Sequence, residues 1–504
     1  MAEFILGIDA GGTAVKAAVY SLTGDELGAT AQPFRPLTPA PGHNERDPEQ
    51  LWLGLATVIR AAMQKAGVTG ADVAAVGITG YGNGLYLLDR AGNPVTNGIL
   101  SSDQRASGLV EQFRAEGKEP EHIALTYKPF YAGNPAPLLA WFKQHRPEVL
   151  ASAATMLTCK DYLRYRLTGE IRAELTDQST SCLLGGATRG FDKRIFALSG
   201  TEDLMRLLPK MIEPTAIAGT ITAAAAAATG LREGTPVPAG TTDNIAVMFG
   251  TGAIEPGEMV IMSGTWGLQQ VFLDRLINDG DVGYVCHTMM PRRWIYCEGS
   301  PSSAASFEWL VDTFMRRPDR AEPPDAVYEL CNSAIARTDP DEPPVYFLPF
   351  LNGAYDQPQA RAALIGFATW HHLGHAVRAV YEGVAFEHRR HYERLLRILP
   401  RPKRARFCGG VVRSRPWMEI FASALDLTLD VPKGAEFGAR GVAMLAGVTC
   451  GKFADIPAAA KAMTGFAYEV APDPRLRASL DRRYPEYLRL IAALAPHWRG
   501  AGYV

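Results

Sequence analysis

No basic block interrupts this chain. Its 51 lysines and arginines are matched by 53 acids, leaving a formal net charge of −2, with no Lys/Arg-rich run and no basic–aromatic stripe. A nucleic-acid binder needs a concentrated basic face, so the composition argues against that class. Long apolar runs are missing too: none reaches membrane-span length, and the strand pattern after Met1 lacks the charged and apolar regions of an export signal. The expectation is a cytoplasmic protein with no membrane partner. Cysteine is sparse and scattered: Cys159, Cys182, Cys286, Cys297, Cys331, Cys408 and Cys450 form no CxxC pair. An odd number of thiols in a long chain fits buried free cysteines in a reducing compartment, not a disulfide framework.

What is present is a globular composition, 47% hydrophobic and 21% charged over 504 residues, a length that implies two domains or three. The start reads strand–turn–strand–turn–strand through "FILGIDA", "AVKAAVYSL" and "ELGATAQPF". A capped amphipathic helix, "ERDPEQLWLGLATVIRAAMQKAG", precedes the strand "VAAVGITG". Helical and strand patterns then alternate as far as "GTPVPAGTTDNIAVMFGTG", which predicts an α/β sheet. In the second half "GEMVIMSGTWGLQQVFL" repeats the strand, Gly-Thr turn and strand of the opening, and "RFCGGVVRSRPWMEIFASAL" puts a glycine pair between a strand and a helix. The repeat suggests a duplicated architecture with a cleft between halves and glycine loops at strand ends, where α/β sheets tend to bind ligands. The alanine run within Ile221–Gly230 reads as a plain helix closed by Gly230.

Several loops carry chemistry. Asp9-Ala-Gly-Gly-Thr lacks Walker spacing, yet Gly11 and Gly12 let backbone amides approach an anion, and the Thr13 hydroxyl adds a donor. Asp9 at a strand end can hold magnesium through water, and Lys16 can supply a point charge to phosphate. The plain alternative is a tight hairpin with a solvated aspartate. Asp243-Asn244 follows a strand and opens a helix, which suits either a general base oriented by its neighbour or an ordinary N-cap. "GITGYGNGLYLLD" with Asn83, and "ILSSDQRA" with Asp103 and Arg105, offer the directed donors and acceptors a polyol needs; both also suit simple turns. His371, His372, His375, His388 and His391 cluster in "HHLGHAVRAVYEGVAFEHRRH", but the HExxH glutamate is absent. His388 and His391, beside Arg389 and Arg390, read as the wet face of a helix and not as a metal site.

Taken in order, these motifs resemble the FGGY family of carbohydrate kinases, within the actin/hexokinase/Hsp70 ATPase superfamily. The likeness runs from "GIDAGGTAVKAAVY" through "ERDPEQLW", "KDYLRYRLTG", "LLPKMIEP", "AGTTDNIAVMFGTGAIEPGE", "MSGTWG", "LPFLNG" and "CGGVVRSRPWMEIFASALDL" to "EFGARGVAMLAG". The resemblance implies an α/β fold of two RNase H-like, actin-like ATPase domains with a nucleotide cleft between them. Residues 1–248 would form the N-terminal domain, with the sugar site and first phosphate loop, and 249–504 the C-terminal domain, with the second phosphate loop and adenosine site. It makes Asp243 the catalytic base. Gly82, Asn83, Asp103, Arg105 and Asn244 join Asp243 as substrate residues, and Asp9 serves the metal. Gly11, Gly12, Thr13, Lys16, Gly264, Thr265, Gly409, Gly410 and Ser414 are placed around ATP. ATP and Mg2+ are the implied cofactors, and a homodimer is the family's common state.

The chain also departs from the xylulose kinase pattern. Asn83 stands where that pattern has histidine, Ser101 where a W-x-D-x-R segment has tryptophan, and Leu138 where a lysine precedes the LxW step. "GLYLLDRAGNPVTNGILSSDQRA" is most similar to the L-xylulose kinase branch. The expected activity is ATP-dependent phosphorylation of a small sugar, most simply a ketopentose such as L-xylulose. The alternatives are a tetritol or pentitol such as erythritol or ribitol, a keto-sugar acid whose carboxylate pairs with Arg105, and, from another class, a nucleotide-regulated binding protein on the same fold.

Overall fold

Apolar residues on both faces of the first strand require cover on both sides. In the computed structural model, which describes residues 3–277, 283–315, 324–354, 356–357 and 359–500, β1 (Phe4–Ala10) has that cover: Ile5, Leu6, Ile8 and Ala10 are fully buried. β2 (Ala14–Tyr20) and β3 (Glu26–Pro33) continue the meander, with Asp9 opposite Lys16 across the first hairpin. β4 (Val73–Gly80) pairs parallel to β1, and β5 (Thr241–Thr242) parallel to β4, giving the order 3-2-1-4-5. The helix Pro48–Ala66 covers one face. Asp47 caps it by accepting from the Glu49 and Gln50 amides, and Gly67 ends it at φ 68°.

The other face of this sheet is covered from far along the sequence. The helix Phe437–Thr449 lies against β1 and β4, and two strand glycines make the approach possible. A Cβ on Gly7 would stand 2.0 Å from the Ala439 carbonyl oxygen, and one on Gly77 would stand 2.0 Å from that of Val442. Helix and sheet backbones are thus in contact, with no side-chain layer between them at these points.

Two compact units result, interleaved along the chain. One takes Met1–Ile254, Phe272–Tyr296 and Gly434–Gly465; the other takes Glu255–Val271, Cys297–Lys433 and Phe466–Val504. In the second, β6 (Met259–Ser263) and β7 (Gly267–Leu273) form an antiparallel hairpin. β8 (Arg404–Gly409) then pairs parallel to β6, β9 (Thr428–Pro432) parallel to β8, and β10 (Phe466–Val470) antiparallel to β9. The hairpin followed by two parallel strands is the same device as β2-β1-β4-β5. Among the described residues no helix is long and apolar enough to cross a membrane.

The helix Leu373–Leu395 corrects one expectation. His388 and His391 do not lie on its wet face; each is only 3% exposed. His391 Nδ1 is 2.6 Å from Glu298 and its Nε2 3.2 Å from Glu387. Burial alone would lower its pKa, but these carboxylates outweigh it and push His391 up to about 9. The neighbouring arginines are largely buried too, Arg389 paired with Glu393 and Asp481, and Arg390 with Asp356 and Glu387.

The glycine seats give a direct test. Gly77→Ala forces backbone against backbone, and overpacking of this kind costs roughly 1–3 kcal/mol. The thermal midpoint should fall clearly below wild type; an unchanged midpoint would contradict the close approach.

Candidate active site

Because β1, β4 and β5 are parallel, their C-terminal ends share one edge of the sheet. Asp9 lies opposite Thr79 and Thr79 opposite Thr241, whose carbonyl accepts the Thr79 hydroxyl at 2.7 Å. Asp243 follows β5 at once, so Asp9 and Asp243 sit at the same edge. Asp9 Oδ1 is buried with no hydrogen-bond partner among the described residues. On its other side Gly438 makes room, since a Cβ there would stand 2.3 Å from Asp9 Oδ2.

The electrostatics follow from that placement. Burial pushes the Asp9 carboxyl up to about 6; Lys16 offsets part of the rise and Glu436 adds to it. Burial likewise pushes Asp243 up to about 7, the charge of Asp9 adds to the rise, and hydrogen bonds from the Asn244 amide and its own amide oppose it. An acid at a helix N-terminus is normally stabilised in its ionised form. Asp243 opens the helix Asp243–Gly250, and desolvation with a like charge still prevails.

Asp243 is not the cap residue. Thr242 occupies the cap position, Asp243 Oδ1 accepts from the Asn244 amide at 2.6 Å, and Asn244 Oδ1 accepts from the Ile245 amide at 2.9 Å and the Thr242 hydroxyl at 2.7 Å. Gly82 lies beside the same strand end, where a Cβ would come within 2.5 Å of Thr180 Cγ2 and 3.5 Å of Thr242 Cγ2. Asn83 adopts φ 66°, a left-handed conformation asparagine tolerates. Its Oδ1 accepts from Asn134 Nδ2 at 2.8 Å, and its amide donates to Ser181 Oγ at 3.1 Å.

Asp103 and Arg105 are placed differently. Both side chains are buried, and Arg105 bonds Asp103 through Nε and Nη2 while Nη2 also reaches Glu45 at 2.7 Å. Asp103 Oδ2 accepts the Asn44 amide at 2.7 Å. The pair ties its loop to residues 44–45. Lys16 is likewise engaged, 2.9 Å from Glu436.

In the first hairpin neither Gly11 nor Gly12 has positive φ, and a Cβ on Gly12 would meet nothing within 4 Å. The second unit shows the same trait in two loops: a Cβ on Gly264 would meet only the Trp266 oxygen at 3.9 Å, and one on Gly410 only Tyr328 Oη at 3.9 Å. Internal packing therefore does not demand glycine at these positions, and open space lies over the backbone. Gly409 differs. Its φ is 112° and a Cβ would stand 2.1 Å from the Ser263 oxygen, so β6 requires it. Thr265 is exposed at the β6–β7 turn, whereas Ser414 is buried, capping the helix Arg415–Leu425 and donating to Asn332 at 2.6 Å.

Sequence reasoning passed over the residues that support the site from afar. Asn134 lies in no quoted motif, and Glu436 and Gly438 in "EFGARGVAMLAG" and Arg46 in "ERDPEQLW" stood in stretches read only for the family likeness or a helix cap, with no role given to these residues. Among the described residues no three metal-binding side chains cluster. The Asp9–Asp243 pair suits a cation that takes one or two carboxylates and completes its shell with phosphate oxygens and water.

Residues 4–250 match the N-terminal domain of the FGGY family of carbohydrate kinases, and residues 259–450 match its C-terminal domain. The chain belongs to the FGGY family. This FGGY kinase is 31% identical to a probable L-xylulose kinase of Pasteurella multocida, over 98% of its own length and 99% of the relative's. It is also 31% identical to the L-xylulose/3-keto-L-gulonate kinase of Escherichia coli, over 98% of each chain. Among solved structures, the xylulose kinase from Rhodospirillum rubrum superposes with a TM-score of 0.87 at 26% identity, covering 98% of this chain and all of that one. The protein is thus a sugar phosphotransferase with the two-domain fold of its family, and membership implies ATP as phosphoryl donor.

The raised carboxyls make stability depend on pH. Between their usual value of 3.8 and about 7 the folded state keeps a proton on Asp243 that the unfolded state has released. Stability from this group is therefore present at low pH and lost as pH rises through that window. In metal-free protein, Asp243→Asn should gain thermal midpoint relative to wild type as pH rises from about 4 to about 7. A difference that stays constant across the window would contradict the shift.

Proposed function

We propose that this kinase transfers the γ-phosphoryl group of ATP to a hydroxyl of a ketopentose, L-xylulose foremost, with Asp243 as general base. The observation that carries the reading is the Asp243 carboxyl itself. It lies at the strand edge beside Gly82, one residue past the helix cap, and is pushed up to about 7, where a base for a sugar hydroxyl works best at neutral pH. Gly82 lets this strand end pack closely on Thr180, and Asn83, oriented by Asn134, with Asn244 would supply the sugar's hydrogen bonds. Asp103 and Arg105 support the pocket by bracing its loop, since each engages the other. Both relatives reported above carry L-xylulose in their names, which favours that acceptor.

Asp9, with Asp243 beside it, would hold Mg2+, which when bound neutralises charge on the transferring phosphoryl group. Gly11, Gly12 and Thr13 present amides and a hydroxyl to phosphate, with Lys16, paired to Glu436, balancing charge behind them. Gly264, Thr265, Gly409 and Gly410 are assigned to the nucleotide in the second unit, with Ser414 shaping that loop through its cap. No disulfide joins the cysteines among the described residues, which fits a reducing cytoplasm.

A keto-sugar acid is the second reading, favoured by Lys128. This lysine is 4% exposed and donates to the Ser179 carbonyl, near Ser181 which holds Asn83. No carboxylate among the described residues lies within ion-pair distance of it.

Asp243→Asn should lower sugar-dependent turnover by about 10²–10⁴-fold while sugar binding persists. Near-normal ADP release from that variant would refute the assignment. In a panel of L-xylulose, D-xylulose, L-ribulose, 3-keto-L-gulonate, erythritol, ribitol and glycerol, kcat/KM should be highest for L-xylulose; a higher value for the acid selects the second reading.

A further inference from the structure

The first hairpin is held from beneath by an arginine that has no part in the scheme above. Arg46 is 2% exposed. Its Nη1 donates to the Gly11 carbonyl at 3.3 Å and its Nη2 to the Gly12 carbonyl at 2.6 Å. The guanidinium lies 5.3 Å from the centre of the Phe34 ring, and Nε is buried with no hydrogen-bond partner. No carboxylate among the described residues pairs with it. The titratable groups that feel its charge are Tyr81, Tyr86 and Cys159, all kept neutral by burial.

An unpaired buried guanidinium is costly, and support of a hairpin alone does not call for one. What this one adds is orientation. In a trans peptide the carbonyl of one residue and the amide N–H of the next point to opposite sides. Holding the Gly11 and Gly12 carbonyls toward Arg46 therefore turns the N–H groups of Gly12 and Thr13 away from it. Neither amide donates to a described group, Thr13 is exposed, and the space over Gly12 is empty. The charge also polarises both peptides, which strengthens their amides as donors.

We propose that Arg46 is a positioning residue for phosphoryl transfer. By pinning the carbonyls of Gly11 and Gly12 it aims the Gly12 and Thr13 amides at the phosphate being moved, and that anion in turn offsets its own unpaired charge. The inference rests on the kinase reading of the Asp9–Asp243 edge.

The test compares Arg46→Lys, Arg46→Gln and Arg46→Met with wild type by kcat, by KM for ATP and for sugar, and by thermal midpoint. Arg46→Met should lose about 10–100-fold in kcat, less than outright removal of an anion-hole donor, with the sugar KM within about threefold. Arg46→Lys, which keeps the charge but not the fork, should recover part of the loss. Arg46→Gln, which keeps a donor but not the charge, should recover less. If Arg46→Met does not fold, the Lys and Gln variants carry the comparison. Variants whose kcat stays within about twofold of wild type, or whose losses follow the thermal midpoint alone regardless of charge, overturn the proposal. Wild-type protein without sugar-dependent ATP turnover would instead refute the kinase reading, and this inference with it.

Discussion

Two carboxylates that repel each other, Asp9 and Asp243, are held at the C-terminal ends of the parallel strands of a mixed sheet, and the rest of the first unit is arranged around that constraint. Burial is the main reason both carboxyls are pushed up, and a like charge adds to each rise, Glu436 for Asp9 and Asp9 for Asp243. Such a pair persists only where the scaffold over-determines it. Here the strand register supplies one restraint, with Thr79 locked to Thr241, and the helix Phe437–Thr449 supplies the other, pressed on Gly7 and Gly77 so that Gly438 meets Asp9 and Glu436 meets Lys16. With Lys16 drawn toward Glu436, neutralisation of Asp9 is incomplete. The edge is left ready for a cation and a phosphate, as the proposed reaction requires.

The same economy of polar groups separates residues that can meet a ligand from those that serve the protein. Arg105, Asp103 and Ser414 have polar atoms taken up by one another, by Glu45, by Asn332 or by a helix cap. Gly12, Gly264 and Gly410 are the reverse: among the described residues a Cβ on Gly12 would meet nothing within 4 Å, and one on Gly264 or Gly410 only a single atom at 3.9 Å. Between these classes stand Asp243 and Asn83, each bonded on one side only by what is needed to orient it. On the proposed reading, catalysis needs little covalent help from the protein, only alignment and an electrostatic setting prepared beforehand.

Much of this was legible in the sequence where the signal is local. Alternation marked β1 to β3 and the β6–β7 hairpin, and a lone acid at the end of an apolar run marked Asp9 and Asp243. Their adjacency was not, because it depends on parallel pairing across more than two hundred residues of chain. The seats for Phe437–Thr449 escaped notice for the same reason: Gly7 and Gly77 look like weak strand residues until the helix that needs them is in place. Arg105 looked available because its carboxylate partners, Asp103 and Glu45, include one from a distant turn. His388 and His391 misled in the opposite direction, since flanking arginines made a buried stretch look wet. Arg46 stood inside "ERDPEQLW" with its role unread, as the carbonyls it holds carry no sequence identity.

The central claim is that a single partly buried carboxyl, Asp243, must be ionised before the sugar can react. The pH dependence of kcat/KM for the sugar reads this most directly, since that ratio follows ionisation before the sugar binds. The account predicts a one-proton fall on the acid side centred well above the ordinary aspartate value of 3.8. A profile that stays level down to pH values near the ordinary aspartate value of 3.8 would contradict it.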